Sequence, residues 1–188
     1  RPPARPPLAI SYLTSGLQSL TFVDRFNQSL DNTALPSGLQ SLTFAECFNQ
    51  SLDNTTLPSG LQSLTLPAVF DQSLENTTLP SSLQSLNLGG LFSGGMHSLP
   101  VLPSGLQSLT FGYFFYLRME NVSLPSGLQS LTFGENFNRN MENMTLPNSL
   151  QILTLGVGFN RNMDNLRLPS SLESLYFEEI ESNVGWML

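Results

Sequence analysis

The 188-residue sequence contains no lysine. All seven cations are arginines: Arg1, Arg5, Arg25, Arg118, Arg139, Arg161 and Arg167. Charged residues make up only 11%, and acids outnumber bases to give a formal net charge of -7. A nucleic-acid surface needs clustered lysine and arginine, so this composition argues against nucleic acid as a partner. The absence of lysine also removes the phosphate-loop lysine. The chain has one histidine, His97, and one cysteine, Cys47. A lone thiol rules out an intramolecular disulfide, and the extracellular arrays that depend on disulfide caps are disfavoured with it. No apolar run approaches the ~20 residues of a membrane helix, so no membrane span is expected.

What the sequence does have is a period. "LPSGLQSLTF" occupies 35–44 and returns unchanged at 102–111 and 124–133. Aligned on its first leucine, the block starts at Leu13, Leu35, Leu57, Leu79, Leu102, Leu124, Leu146 and Leu168, a spacing of 22 residues broken once by 23. A fixed period in this range marks a solenoid, whose units cannot bury their apolar faces alone and rely on their neighbours. The recurring apolar positions of the second unit are Leu35, Leu39, Leu42, Phe44, Phe48 and Leu52. This spacing fits neither a long helix nor a long alternating strand. Leu42 and Phe44 flank Thr43, so "SLTF" reads as a short strand with Leu and Phe inward.

Proline at the second position (Pro36, Pro58, Pro80, Pro103, Pro125, Pro147, Pro169) has no amide hydrogen and belongs before the strand. The return segment, "FNQSLDNTT" in the second unit, is rich in residues that compete with helix for backbone hydrogen bonds. It is predicted to be extended or short 3-10 structure. Stacking the units gives a leucine-rich-repeat-like parallel sheet of about eight strands with right-handed coiling, roughly 34 Å long at ~4.8 Å per strand. Residues 1–12 read as a proline- and arginine-rich linker and N-terminal edge, 13–180 as the repeat array, and 181–188 as the end of the last, incomplete unit. The chain begins at Arg1 rather than Met, as a processed chain or a piece of a longer one would. Leu8 to Ile10 and the segment around Trp186 are expected to cover the two ends.

The pattern L-P-x-x-L-x-x-L-x-L/F followed by Phe-Asn resembles a leucine-rich repeat of the FNIP type. The pair stands at Phe26-Asn27, Phe48-Asn49, Phe137-Asn138 and Phe159-Asn160, with Phe70-Asp71 and Phe92-Ser93 as variants. Gln-Ser or Arg-Asn replaces the Ile-Pro of the family's name. The resemblance covers nearly the whole chain. It implies a protein-interaction array without catalytic residues, either a monomer or part of a longer repeat chain, that needs no cofactor.

Function is sought where the repeat breaks, because identical residues are scaffold. The fifth unit reads "GYFFYLRME" where the sixth reads "GENFNRNME". Phe115 keeps the core position, leaving Tyr113, Phe114 and Tyr116 beside Arg118 as a candidate protein-binding site, since Tyr and Arg are enriched in interaction hot spots. The competing reading is local packing around the irregular fourth unit. That unit, "LNLGGLFSGGMHSLPV", carries the extra residue and His97; with no lysine after its glycines it is no phosphate loop, and His97 has no metal partner.

Two further rows run along the array. Ser41 and Thr43 recur on the open face as Ser19/Thr21, Ser63/Thr65, Ser108/Thr110 and Ser130/Thr132. They read either as a solvated sheet surface or as a structural, ice-binding-type hydroxyl lattice. On the return side, Asp31, Asp53, Glu75, Glu120, Glu142 and Asp164 each precede an asparagine. The expectation is that these asparagines bond along the stack, with Arg139 paired to Glu142 and Arg161 to Asp164. Glycosylation sequons fall at Asn27, Asn49, Asn54, Asn76, Asn121 and Asn143. As copies within a repeat they amount to two observations, and the single cysteine weighs toward an intracellular location. The acidic row is read as a solvated surface and not as a calcium site. Millimolar Ca2+ is therefore expected to leave the melting temperature unchanged, since only a cation bound by the folded form would raise it. A rise abolished by Asp53→Asn with Glu75→Gln would reverse this reading.

Overall fold

The computed structural model describes residues 15–23, 25–90, 99–113, 122–142 and 144–178. Eight short strands follow one another in the chain: β1 (Ser19–Phe22), β2 (Ser41–Phe44), β3 (Ser63–Thr65), β4 (Ser85–Asn87), β5 (Ser108–Phe111), β6 (Ser130–Phe133), β7 (Ile152–Leu155) and β8 (Ser174–Phe177). They form one parallel sheet in chain order. No described residue is helical.

The register follows the sequence period without a slip. Leu20, Leu42, Leu64, Leu86, Leu109, Leu131, Leu153 and Leu175 lie side by side along the sheet. The extra residue of the fourth unit is absorbed outside the strands, because Ser85 still pairs with Ser108. Before each strand from β2 to β8 the proline carbonyl accepts the N–H of the leucine three residues on, as from Leu39 to Pro36 at 3.1 Å and from Leu61 to Pro58 at 3.0 Å. Proline thus opens a tight turn in which its missing amide hydrogen costs nothing. β3 is a residue shorter than β2. Ala45 donates its N–H to Phe22 at 2.9 Å, and Pro67, at the equivalent place, has none to donate.

The inward residues make the core. Leu39, Leu42, Phe44, Phe48 and Leu52 are buried, and Leu35 packs against them half-buried. The phenylalanines form columns: Phe44 stacks on Phe48 within its unit at 4.0 Å and on Phe22 of the preceding unit at 5.2 Å, and Phe48 continues to Phe70 at 6.2 Å. Each offset pair adds about 0.5–1.5 kcal/mol beyond the area it buries.

The described return segments are extended, and those of the first three units and of the sixth and seventh are bent by a turn from residue i to i+3, such as Thr55 N–H to Leu52 at 3.0 Å and Thr77 N–H to Leu74 at 3.0 Å. A single turn takes the place of the 3-10 helix the sequence allowed. The asparagine of the Phe-Asn pair ties these segments together. Asn27 Oδ1 accepts the backbone N–H of Asn49 at 2.8 Å and the Gln50 side-chain amide at 3.1 Å. Asn49 Oδ1 repeats both bonds one unit on, to Asp71 N–H at 2.9 Å and Gln72 at 3.2 Å, and Asn138 accepts Asn160 N–H at 3.1 Å. A side-chain carbonyl thereby supplies the link between units that the strands make with backbone.

The two sides of the array differ in how closely units approach. A Cβ built on Gly134 would lie 2.5 Å from the carbonyl of Gly112, so only glycine fits there. Elsewhere serine replaces glycine by donating its hydroxyl to the neighbour's backbone, Ser82 to the Ser59 and Leu61 carbonyls and Ser149 to those of Ser126 and Leu128. The expected linker 1–12, the end segments around Leu8 and Trp186, and His97 lie outside the described residues.

Asn49→Ala removes an acceptor used twice by the next unit, and should lower stability by about 1–2 kcal/mol. Asn54→Ala, at an exposed position of the same unit, should leave it unchanged. Thermal melts of the two variants test the ladder; equal melting temperatures would contradict it.

Candidate functional site

Strand alternation presents two rows on the open face. One runs Ser19, Ser41, Ser63, Ser85, Ser108, Ser130, Ile152, Ser174; the other runs Thr21, Thr43, Thr65, Asn87, Thr110, Thr132, Thr154, Tyr176. No member of either row is charged. Just before the strands, exposed Gln18, Gln40, Gln62, Gln84, Gln107, Gln129 and Gln151 extend the neutral surface until Glu173 ends the series. The backbone fixes this row: each carbonyl accepts two N–H groups from the next unit, as Gln18 does from Gln40 at 2.8 Å and Ser41 at 2.9 Å.

Two large side chains interrupt the hydroxyl surface. Ile152 on β7 is 37% exposed and Tyr176 on β8 is 54% exposed. They lie on adjacent strands and two residues apart in register, roughly 8 Å between Cα atoms from strand spacing and rise. The sequence held the signal. "QILTL" and "ESLYF" place apolar residues where the other units have Ser, Thr or, once, Asn, and an alignment judged by its core letters passes over them.

Of the aromatic break, Tyr113 is described. It follows Gly112 at the rim beyond β5, is 41% exposed, and its carbonyl accepts the N–H of Asn136 at 3.2 Å. Phe114, Tyr116 and Arg118 lie outside the described residues, as do Phe115 and Glu120. The same rim carries exposed Glu46, in a left-handed backbone conformation at φ 35°, and exposed Glu135. The thiol of Cys47 is free and exposed beside Glu46.

On the return side, the acidic residues sit in local turns. Asp31, Asp53 and Glu75 donate their backbone N–H to the hydroxyls of Ser29, Ser51 and Ser73, and Glu142 and Asp164 donate theirs to the Oδ1 of Asn140 and Asn162. The expected pairing of Arg161 with Asp164 is replaced by two other bonds. Arg161 donates Nε–H to the Asn138 carbonyl of the preceding unit at 3.1 Å, and Asn162 donates its amide to the Asp164 carboxylate at 2.9 Å. The side-chain ladder also runs through a different asparagine: Asn27 and Asn49 carry it, whereas Asn32 meets Asn54 through backbone, N–H to carbonyl at 3.3 Å. Repulsion within the acidic row is relieved by exposure and by Thr77, whose hydroxyl reaches Asp53 at 3.4 Å. Among the described residues no three His, Cys, Asp or Glu side chains converge as metal ligands. None of the described helices and strands is a helix long and apolar enough to cross a membrane.

This geometry has known relatives. The sequence model of the FNIP Repeat matches residues 6–47, 48–90, 97–136, 119–158 and 137–179. Among solved structures, CroV588, described as a novel circular LRR protein, superposes with a TM-score of 0.75 at 38% sequence identity over 87% of this chain. The chain spans only 24% of that protein's length. No curated protein sequence matches it. A parallel sheet repeating every 22 residues, with the asparagine of Phe-Asn joining each unit to the next, is what the family pattern encodes, and the chain belongs to the FNIP repeat family.

Proposed function

We propose that the array is a non-enzymatic scaffold that binds a protein partner on its repeat surface, and that the aromatic break at Tyr113, Phe114, Tyr116 and Arg118 is the principal contact. The observation that carries this reading is the contrast between the sheet's regularity and its interruptions. Eight strands in register hold a neutral, rigid face, and large side chains depart from it at a few positions beside an acidic rim. A surface ordered by the fold loses little conformational entropy on binding, so a few aromatic anchors suffice for affinity. Tyr113, exposed at that rim, has the character of such an anchor. The FNIP and leucine-rich-repeat relationship supports a binding role over catalysis.

A second reading rests on the two hydroxyl rows, which run in register from β1 to β3 before Asn87 interrupts them. A structural or ice-binding-type surface needs that regularity across its width, and Ile152 and Tyr176 interrupt it again at the other end. Thermal hysteresis of the purified chain separates the two readings, and none is expected.

The sixth unit supplies the control for the binding reading, with Glu135, Asn136 and Asn138 where the fifth has Tyr113, Phe114 and Tyr116. The triple variant Tyr113→Glu, Phe114→Asn, Tyr116→Asn should melt with the parent yet lose partner affinity by about 2 kcal/mol, roughly thirtyfold. A lowered melting temperature with unchanged capture of partners would assign the aromatics to internal packing instead.

A further inference from the structure

The open face over β7 and β8 differs from the rest in two respects at once. Ile152 and Tyr176 replace Ser and Thr, and exposed carboxylates surround them: Glu173 immediately before β8, Glu178 immediately after it, and Glu135 at the rim beyond β6. At the first of these positions the preceding units carry neutral glutamine. The apolar pair therefore stands between negative charges on a face that is otherwise neutral, and no lysine exists anywhere in the chain to offset them. The nearby arginines are engaged elsewhere or sit on the return segments, Arg161 on the Asn138 carbonyl and Arg167 in the stretch that leads into the eighth unit.

We infer that this end of the face is a second docking surface, and that it takes an extended segment of a partner protein with an apolar residue between two basic ones. The inference rests on the scaffold reading above and names the chemistry of one partner segment. Glu173 and Glu178 are five positions apart, roughly 16 Å at the rise of a strand. An extended segment lying along β8 would bring to these carboxylates two arginines four residues apart, on the same side as the apolar residue midway between them, while that residue covers Tyr176 and Ile152. Arginine suits this arrangement because its guanidinium pairs with a carboxylate through two hydrogen bonds and also stacks on a tyrosine ring. Opposite charges at the rim chiefly raise the association rate and select the partner, while the central aromatic supplies the affinity.

The probe is a fluorescein-labelled peptide containing Arg-Ser-Leu-Ser-Arg, read by fluorescence anisotropy against the intact chain, with the same peptide carrying glutamates for arginines as control. Three variants restore what other units use: Ile152→Ser, Tyr176→Thr and Glu173→Gln. The arginine peptide should bind and the glutamate peptide should not. Affinity should fall at least tenfold in the Ile152→Ser, Tyr176→Thr double variant, and about threefold in Glu173→Gln, with a weaker dependence on salt. Circular dichroism melts should coincide throughout, because the substitutions are on the exposed face. Equal binding of the two peptides, or affinity unmoved by the double variant, would overturn the inference. So would concentration-dependent self-association in sedimentation velocity that the double variant abolishes, since the face would then be a contact between copies. The Tyr113, Phe114, Tyr116 variant should bind the peptide like the parent, so failure at this surface is distinguishable from failure of the aromatic break.

Discussion

A parallel strand leaves backbone donors and acceptors unmet along both edges until strands of the same shape lie beside it. Everything else in this array follows from that requirement. Neighbouring strands stand ~4.8 Å apart, so every other part of a unit must also repeat at nearly that distance, including the turn, the return segment and the core side chains. Helices, at about 10 Å across, would push the return side apart and bend the array strongly. Extended segments do not, which is why a 22-residue period built from asparagine, serine and threonine suits this sheet. Flat phenylalanine rings meet the same condition, stacking from unit to unit at 5.2 Å for Phe22 and Phe44. An Asn Oδ1 bonded to the next unit's N–H closes the remaining gap on the return side.

Much of this was legible because the period is strict. Strand positions, inward residues and the placement of proline all follow from aligning eight copies, and the structure reproduces them residue for residue from Leu39 to Leu52. What escaped the sequence was the division of labour among asparagines. Asn27 and Asn32 look equivalent as letters, both conserved in spacing from unit to unit, yet only Asn27 reaches across with its side chain. The difference comes from the local turn: Ser29 Oγ takes the N–H of Asp31, fixing a bend after which the chain at Asn32 enters a left-handed conformation at φ 56°. Such competition between side chain and backbone leaves no trace in the spacing of the apolar residues. Ile152 and Tyr176 escaped for another reason. They sit at positions defined by exposure, which an alignment on buried leucines does not weigh.

Charge is distributed with equal regularity. The open face is neutral across seven units, and carboxylates occupy the rims and the return turns. A uniform face offers any ligand many equivalent positions and so provides poor discrimination among them. On the proposed reading, specificity comes from the places where equivalence is broken, which fall in the second half of the chain, at Tyr113 and at Ile152 with Tyr176. The scaffold would then set the geometry of contact, and a small number of departures would decide what is contacted.

The glycine column gives the array a direction in evolution. After the strands of the first three units stand Val23, Ala45 and Pro67; the next four units carry Gly89, Gly112, Gly134 and Gly156, where a Cβ would collide with the backbone of the unit before, and Glu178 ends the column. Copying one of the four glycine units beside another extends the array without disturbing its neighbours. Placing a copy of one of the first three among them would insert a methyl group, or a proline ring, where two backbones touch. The four glycine units therefore exchange only among themselves, and recombination that lengthens this stretch should leave duplicated units beside their templates.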